Sequence, residues 1–356
     1  MTPTKPPRRE FLFVSCQPGA EQALKLEIAR EHPFLRFAYS RPGFVTFKSE
    51  EGLDPRFELH SVFARAYGLT LSDSKRDDER TRVKLAVEQA SLIKGPLRLH
   101  VWEREDEAFG ALAGAYARAA DDSIRAEAPS TLFLPPGPAE EGERVFDVVL
   151  VEPDHWWFGF HEHSASHSSD PGGNPAIPLS PEAPSRAYLK LEEALSWARL
   201  RLDPADVALE IGSSPGGASF ALLKRGLSVI GVDPAEMDPR VLALGEDRFV
   251  HVRRGVGDLE LVDLPAPVNW VLLDMNVPPQ IAFDALERIL PWPRIRENLL
   301  GVMLTLKLNR WRIAAEIPDF LERLRESGFA RIRATQLPSN RQEFFALGLT
   351  RKGLTR

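Results

Sequence analysis

The chain has 356 residues, 43% hydrophobic and 27% charged, with a formal net charge of −6; that length suggests two or three domains with an adequate core, and the composition excludes wholesale disorder. A single cysteine, Cys16, excludes an internal disulfide and a thiolate metal cluster. No apolar run reaches the length of a membrane span and the start, MTPTKPPRRE, has no apolar signal-type stretch, so a soluble cytoplasmic protein without a membrane partner is expected.

Taken in chain order, FLFVSCQ (11–17) reads as a strand, GAEQALKLEIAREH (19–32) as an amphipathic helix and GFVTFKS (43–49) as a second strand. LRLHVWE (97–103), a helical segment at 106–128 and RVFDVVLVEPDHWWFGFHEH (144–163) suggest a second α+β unit. Two small α+β modules are therefore expected, at 1–70 and 71–167. The stretch 168–184 holds five prolines and a Gly-Gly pair, which leave few backbone donors and no periodicity, and it reads as a linker.

Beyond the linker, SRAYLKLEEALSWARL (185–200) is a helix. The apolar runs DVALEIG (206–212), LSVIGVD (227–233), NWVLLDM (269–275) and GVMLTLKL (301–308) read as buried strands, alternating with helical segments such as ASFALLKRG (218–226) and IPDFLERLRESG (317–328). Such alternation predicts an α/β fold with a doubly wound, mostly parallel sheet. ARIRATQL (330–337) and EFFALGLT (343–350), joined by PSNRQ, predict a closing antiparallel hairpin.

Charge is unevenly placed. Residues 1–184 carry 21 Lys plus Arg against 29 Asp plus Glu, a net of −8, and residues 185–356 carry 24 against 22. That balance argues against indiscriminate nucleic-acid binding. A specific RNA held by local clusters, such as Lys5, Arg8 and Arg9 or Lys75 and Arg76, remains compatible with it.

LEIGSSPGGASF places Gly212, Gly216 and Gly217 between a strand and a helix, where glycine permits tight turning and close approach of a ligand to free N–H groups. Asp233, 21 residues after Gly212 at the end of the next strand, can accept both hydrogen bonds of a ribose diol, or simply cap the turn VDPAE. The loop lacks the G-x-G-x-x-G spacing of dinucleotide sites, so NAD is the second choice. In a doubly wound sheet, ligands sit beyond the carboxyl ends of the strands. Asp274 and Lys307 end two strands and Glu343 starts the returning strand of the hairpin, while Lys190 reaches the same edge from the preceding helix. Each alone could be a surface pair or a turn cap; an ammonium inside VMLTLKL, however, is costly unless a carboxylate compensates it, and Asp274 is the natural partner.

APSRAYLKLEEA, LEIGSSPGG, VLLDM, LTLKL and RQEFF match, in order, the motifs of the FtsJ-type ribose 2′-O-methyltransferases with their Lys-Asp-Lys-Glu tetrad. CQPGAEQALKLEI and LHSVFARAYG (59–68) extend the likeness to the members acting on a cytidine of 23S rRNA. The resemblance implies S-adenosylmethionine as cofactor, rRNA as partner, a ferredoxin-like module at 1–70, a THUMP-like RNA-binding module at 71–167 and a Rossmann-like methyltransferase domain at 185–356. It also implies Lys190, Asp274, Lys307 and Glu343 as catalytic residues. Ser185, Gly212, Ser214, Pro215, Gly216, Gly217, Asp233, Asp258 and Asp274 would line the cofactor, Asp258 holding the adenine amine. Cytosine carbon-5 methylation would need a cysteine nucleophile, and Cys16 is in the wrong module; DMNVPPQ lacks the D/N-P-P-aromatic motif of exocyclic-amine methylases. A tRNA methyltransferase and a non-catalytic ribosome-assembly factor are the alternatives, and a monomer is favoured.

The stretch HWWFGFHEHSASH contains His155, His161, His163 and His167. His161 and His163 share one face of a strand, as ligands of a zinc ion would. No cysteine assists and the segment runs into a loop, so no metal is expected. Trp156 and Trp157 could stack on bases or pack between modules.

Overall fold

The computed structural model describes residues 9–105 and 114–356. Residues 106–113 of the helix expected at 106–128, and the basic residues Lys5 and Arg8, lie outside them. The chain divides into two compact units, one ending at Pro175 and one beginning at Ala176, a division inside the expected linker.

The first unit contains β1 (Arg9–Ser15), α1 (Glu21–Glu31), β2 (Leu35–Arg41), β3 (Phe44–Leu53), β4 (Ala66–Lys75), α2 (Glu79–Ser91), β5 (Arg98–Glu103), α3 (Ala115–Glu127), β6 (Arg144–Glu152) and β7 (His155–Glu162). Its strands form one sheet in the order β2-β3-β1-β4-β7-β6-β5, antiparallel except for the β5–β6 pair. Side chains alternate across a strand. Thus Phe146, Val148 and Leu150 of β6 pack with Ala86 of α2 and Ile124 of α3, while Val149 and Val151 pack with Phe13, Phe44 and Trp102 on the other face. Burial on both faces explains why RVFDVVLVE reads as one apolar run. The expected boundary at 70/71 falls within β4, which pairs with β1 through Tyr67 and Leu69 and with β7 through Leu69 to Lys75. The strands of both expected modules therefore share one sheet.

The second unit contains α4 (Ala187–Ala198), β8 (Val207–Ile211), α5 (Gly217–Lys224), β9 (Ser228–Val232), α6 (Pro239–Gly245), β10 (Phe249–Val252), β11 (Trp270–Leu273), α7 (Pro279–Ile289), α8 (Pro293–Arg296), β12 (Gly301–Lys307), α9 (Ile317–Glu326), β13 (Arg331–Thr335), β14 (Glu343–Leu349) and α10 (Arg351–Leu354). The strand order is β10-β9-β8-β11-β12-β14-β13; the first five run parallel and β14 is antiparallel to both neighbours. This is the expected doubly wound, Rossmann-like α/β sheet with its hairpin. After β8 the chain winds outward through β9 and β10, then crosses back to place β11 on the other side of β8. The switch point therefore lies between β8 and β11, where such sheets open a crevice at their carboxyl ends. Among the described residues, no helix is long and apolar enough to cross a membrane.

Candidate active site

Three strand ends meet at that switch point. Gly212 follows β8 with φ +81°, and a Cβ there would stand 2.7 Å from the Asp274 carbonyl oxygen. Only glycine tolerates both the left-handed backbone and that close approach. The Asp274 N–H donates to the Ile211 carbonyl at 3.1 Å, tying the residue after β11 to the end of β8. Lys307, the last residue of β12, is the register partner of Glu343, the first of β14, so the hairpin brings an acid beside a lysine at one sheet edge. α4 supplies Lys190 from the flank.

The four side chains close into a square of alternating charge. Lys190 Nζ lies 3.0 Å from Asp274 Oδ2 and 2.8 Å from Glu343 Oε1. Lys307 Nζ lies 2.9 Å from Asp274 Oδ1 and also contacts Glu343 Oε2. Side-chain exposures of 9% to 22% show a largely buried group that still meets solvent. Burial alone would push the Lys307 ammonium down, but Asp274 and Glu343 outweigh burial and hold it above its ordinary value. Burial likewise works to raise Glu343, and Lys190 and Lys307 outweigh it and hold the carboxyl below its usual range. Lys307 is therefore held in its charged form.

The glycine loop is built around Asp233, which follows β9. Asp233 Oδ2 accepts the Ser214 N–H at 3.2 Å and Oδ1 accepts the Ala235 N–H at 2.8 Å, so the turn-capping role is real. Each carboxylate oxygen can accept a further donor, and the group remains half-buried, a set-up that fits a ribose diol. Ser214 Oγ donates to the Glu236 carbonyl at 2.8 Å, and the Pro215 carbonyl accepts the Asp238 N–H at 3.1 Å. Gly216, with φ +109°, precedes α5, whose first turn has no side-chain cap and so keeps N–H groups available for a ligand. Gly217 abuts Ser185, whose Oγ a Cβ would strike. These residues fit a nucleoside-bearing ligand at the β8–β9 side of the crevice. Asp258 ends an exposed turn, Val256–Asp258, after β10. It shares the sheet edge, but the described contacts do not join it to the glycine loop.

Three further residues hold the site without having been singled out from sequence. Asn340 Nδ2 donates to Glu343 Oε1 at 3.1 Å while its Oδ1 accepts the Leu337 N–H at 2.9 Å. Glu193 of α4 accepts the Ser339 N–H at 2.8 Å and its hydroxyl at 2.7 Å, clamping the hairpin turn to the helix that carries Lys190. Glu210, fully buried in β8, accepts from Ser219 Oγ, and burial pushes its carboxyl up to about 8. A lone acid in VALEI was the available signal for Glu210; Asn340 and Glu193 had none beyond turn composition.

Residues 183–344 match the FtsJ-like methyltransferase family. Over the whole chain, a protein called "Ribosomal RNA large subunit methyltransferase M" from Xanthomonas axonopodis pv. citri is 27% identical across 358 aligned residues, covering 95% of this chain and 99% of the relative. Its counterpart in Xanthomonas campestris pv. campestris strain B100 is 28% identical across 357, with the same shares covered. Among solved structures, TrmN from Thermus thermophilus is 15% identical over 95% of this chain and 99% of that one, with a TM-score of 0.35, a likeness too loose to carry an argument. The glycine loop, the switch-point crevice and the charge square all fall inside the span that matches the FtsJ-like methyltransferase family.

Proposed function

We propose that the protein transfers a methyl group from S-adenosylmethionine to the 2′-hydroxyl of a cytidine ribose in 23S rRNA, acting as a monomer in the cytoplasm. The observation that carries this reading is the closed square of Lys190, Asp274, Lys307 and Glu343 at the carboxyl edge of the parallel sheet. The family match and the naming of full-length relatives as ribosomal RNA methyltransferases support it. Asp233 and the N–H groups around Gly216 and Gly217 would hold the cofactor, with Ser185, Ser214 and Asp274 beside them and Asp258 reaching the adenine.

S-adenosylmethionine supplies a methyl on a cationic sulfur, already a good leaving group. The protein's share is to align the acceptor hydroxyl and take its proton. Lys307 is the proposed base, with Lys190 and Glu343 positioning the hydroxyl. A protonated lysine cannot accept a proton, and the resting square holds Lys307 protonated. Positive charge added beside Asp274 competes with Lys307 for that carboxylate and weakens its hold on the proton. The square thus keeps Lys307 inert until its charge balance is disturbed. The first unit, containing the proposed ferredoxin-like and THUMP-like modules, would capture RNA.

Mapping 2′-O-methyl groups in total RNA with and without the gene tests the reading. One 23S cytidine should lose its methyl and regain it with the wild-type gene but not with Lys307→Ala. Loss from tRNA instead would transfer the activity to another RNA. No loss from any RNA would favour a non-catalytic assembly factor.

A further inference from the structure

Three of the four histidines at 155–167 meet inside the first unit. His155 leaves the group, its Nε2 lying 2.9 Å from Asp73 Oδ2. His161 belongs to β7 and His163 follows the strand. The turn closed by His167 N–H on the Ser164 carbonyl, at 3.0 Å, folds His167 back onto His161. Their rings stack with centroids 4.3 Å apart and 10° between planes, and Tyr67 covers His167 at 4.2 Å. One ring nitrogen from each of His161, His163 and His167 lies within 4.8 Å of the other two. The three residues are 6%, 2% and 8% exposed.

The hydrogen bonding of this group is one-sided. His161 Nδ1 lies 2.8 Å from Asp147 Oδ2, itself buried, so Nδ1 carries the proton and Nε2 has the lone pair. At His167, Nδ1 accepts the Ser164 N–H at 3.3 Å and lies 3.1 Å from Ser164 Oγ; ligation through Nε2 would move the ring proton to Nδ1, which would then donate to the hydroxyl. The Nε2 atoms of His161 and His167 are both buried without a hydrogen-bond partner. Leaving such an atom unmet costs about 1–3 kcal/mol, and packing gives no reason to do so twice at one spot. A carboxylate or hydroxyl on one ring nitrogen with the other left bare is the arrangement found around metal-ligating histidines.

We propose that His161, His163 and His167 form a binding site for a divalent transition-metal ion, Zn²⁺ in the first instance, that pins the Ser164–His167 turn to the end of β7. Imidazole donors suit zinc, and the fourth position is left to water. Zn–N bonds of about 2.0–2.1 Å set tetrahedral donors roughly 3.4 Å apart, so the rings draw together modestly on binding. The sequence argued against a metal because the segment runs into a loop; that loop is what returns the third ligand.

The test uses the untagged full-length protein, stripped with a chelator and titrated with Zn²⁺ against a chromophoric competitor. One Zn²⁺ per chain is expected, with affinity reduced at least tenfold in His161→Gln and in His167→Gln. Asp147→Asn, which touches no metal, should weaken binding about 10–100-fold through His161. Absence of stoichiometric uptake, or uptake unchanged in both histidine variants, would overturn the site. Should those variants misfold by circular dichroism, the wild-type chain decides: loaded with Co²⁺ it should show the visible absorption of a tetrahedral site, displaced by one equivalent of Zn²⁺, and a featureless spectrum overturns the proposal.

Discussion

Each unit is built on a seven-stranded sheet, yet the two sheets gather polar residues in different ways. In the second unit β8, β9, β11 and β12 run parallel, so every residue that ends a strand arrives at the same edge. Gly212, Asp233, Asp274 and Lys307 converge for that reason alone, and the hairpin adds Glu343 opposite Lys307. In the first unit neighbouring strands mostly alternate in direction, and strand ends scatter to opposite edges. Its histidine cluster forms instead across the sheet face, where Asp147 of β6 meets His161 of β7, and depends on a turn to complete it. Strand direction thus decides whether a site can be read from strand ends.

The sharpest way to break this contrast is Lys307→Ala. If convergence at the parallel edge makes a catalytic site, methyl transfer should fall ~10²–10⁴-fold, the usual worth of a general base. Cofactor affinity should change little, because Lys307 meets the square rather than the glycine loop. Removing the ammonium strands Asp274 and Glu343 with one cation between them, so some loss of stability is expected alongside. Lys307→Arg separates charge from basicity, since arginine is not deprotonated near neutral pH. It should be as inactive as alanine in a single-turnover methyl-transfer assay. Near-normal turnover by the arginine variant would recast Lys307 as an electrostatic group.

Separating the units tests whether the second sheet is sufficient. A fragment beginning at Ala176 keeps the glycine loop and all four members of the square, and calorimetry should find S-adenosylmethionine binding retained. Methyl transfer to rRNA should drop at least tenfold, as the first unit would supply RNA affinity through local clusters such as Lys75 and Arg76 despite its net acidity. Full activity of the fragment would show the first unit to be dispensable for substrate capture.

Legibility followed the same division. The strands of the second unit around the site are buried on both faces and read as unbroken apolar runs bounded by glycine or an acid, so their ends, and with them Asp274 and Lys307, could be placed. β10 was not anticipated: it is four residues long, FVHV, at the sheet edge, with only Val252 buried. β2 was missed for a similar reason, being an edge strand with little inward-facing surface. β4 carries Gly68, Ser72, Asp73 and Ser74, and its polar end hid a central strand. That gap also hid the continuity of the first sheet across residue 70. Asn340 and Glu193 act through contacts between a turn and a helix distant in sequence, which no local pattern encodes.

The smallest effect expected here concerns Glu210, and it separates a supporting residue from the square it underlies. Its carboxyl is pushed up to about 8, first by burial, then by the nearby charges of Asp274 and Asp233, against the opposing hydrogen bond from Ser219. The folded state therefore holds this proton more tightly than the unfolded chain, whose glutamates titrate near about 4.3. The resulting stabilisation is fully present below that pH and is lost progressively as the pH rises through about 8. Glu210→Gln keeps an acceptor for the Ser219 hydroxyl and removes the titration. Thermal or urea unfolding monitored between pH 5 and pH 9 should show wild-type stability falling on the order of a few kcal/mol across that range, with a flatter profile in the variant and the variant the more stable at the alkaline end. Equal slopes in the two proteins would mean that Glu210 is already ionised at neutral pH, and that the square sits beside a third carboxylate rather than a neutral acid.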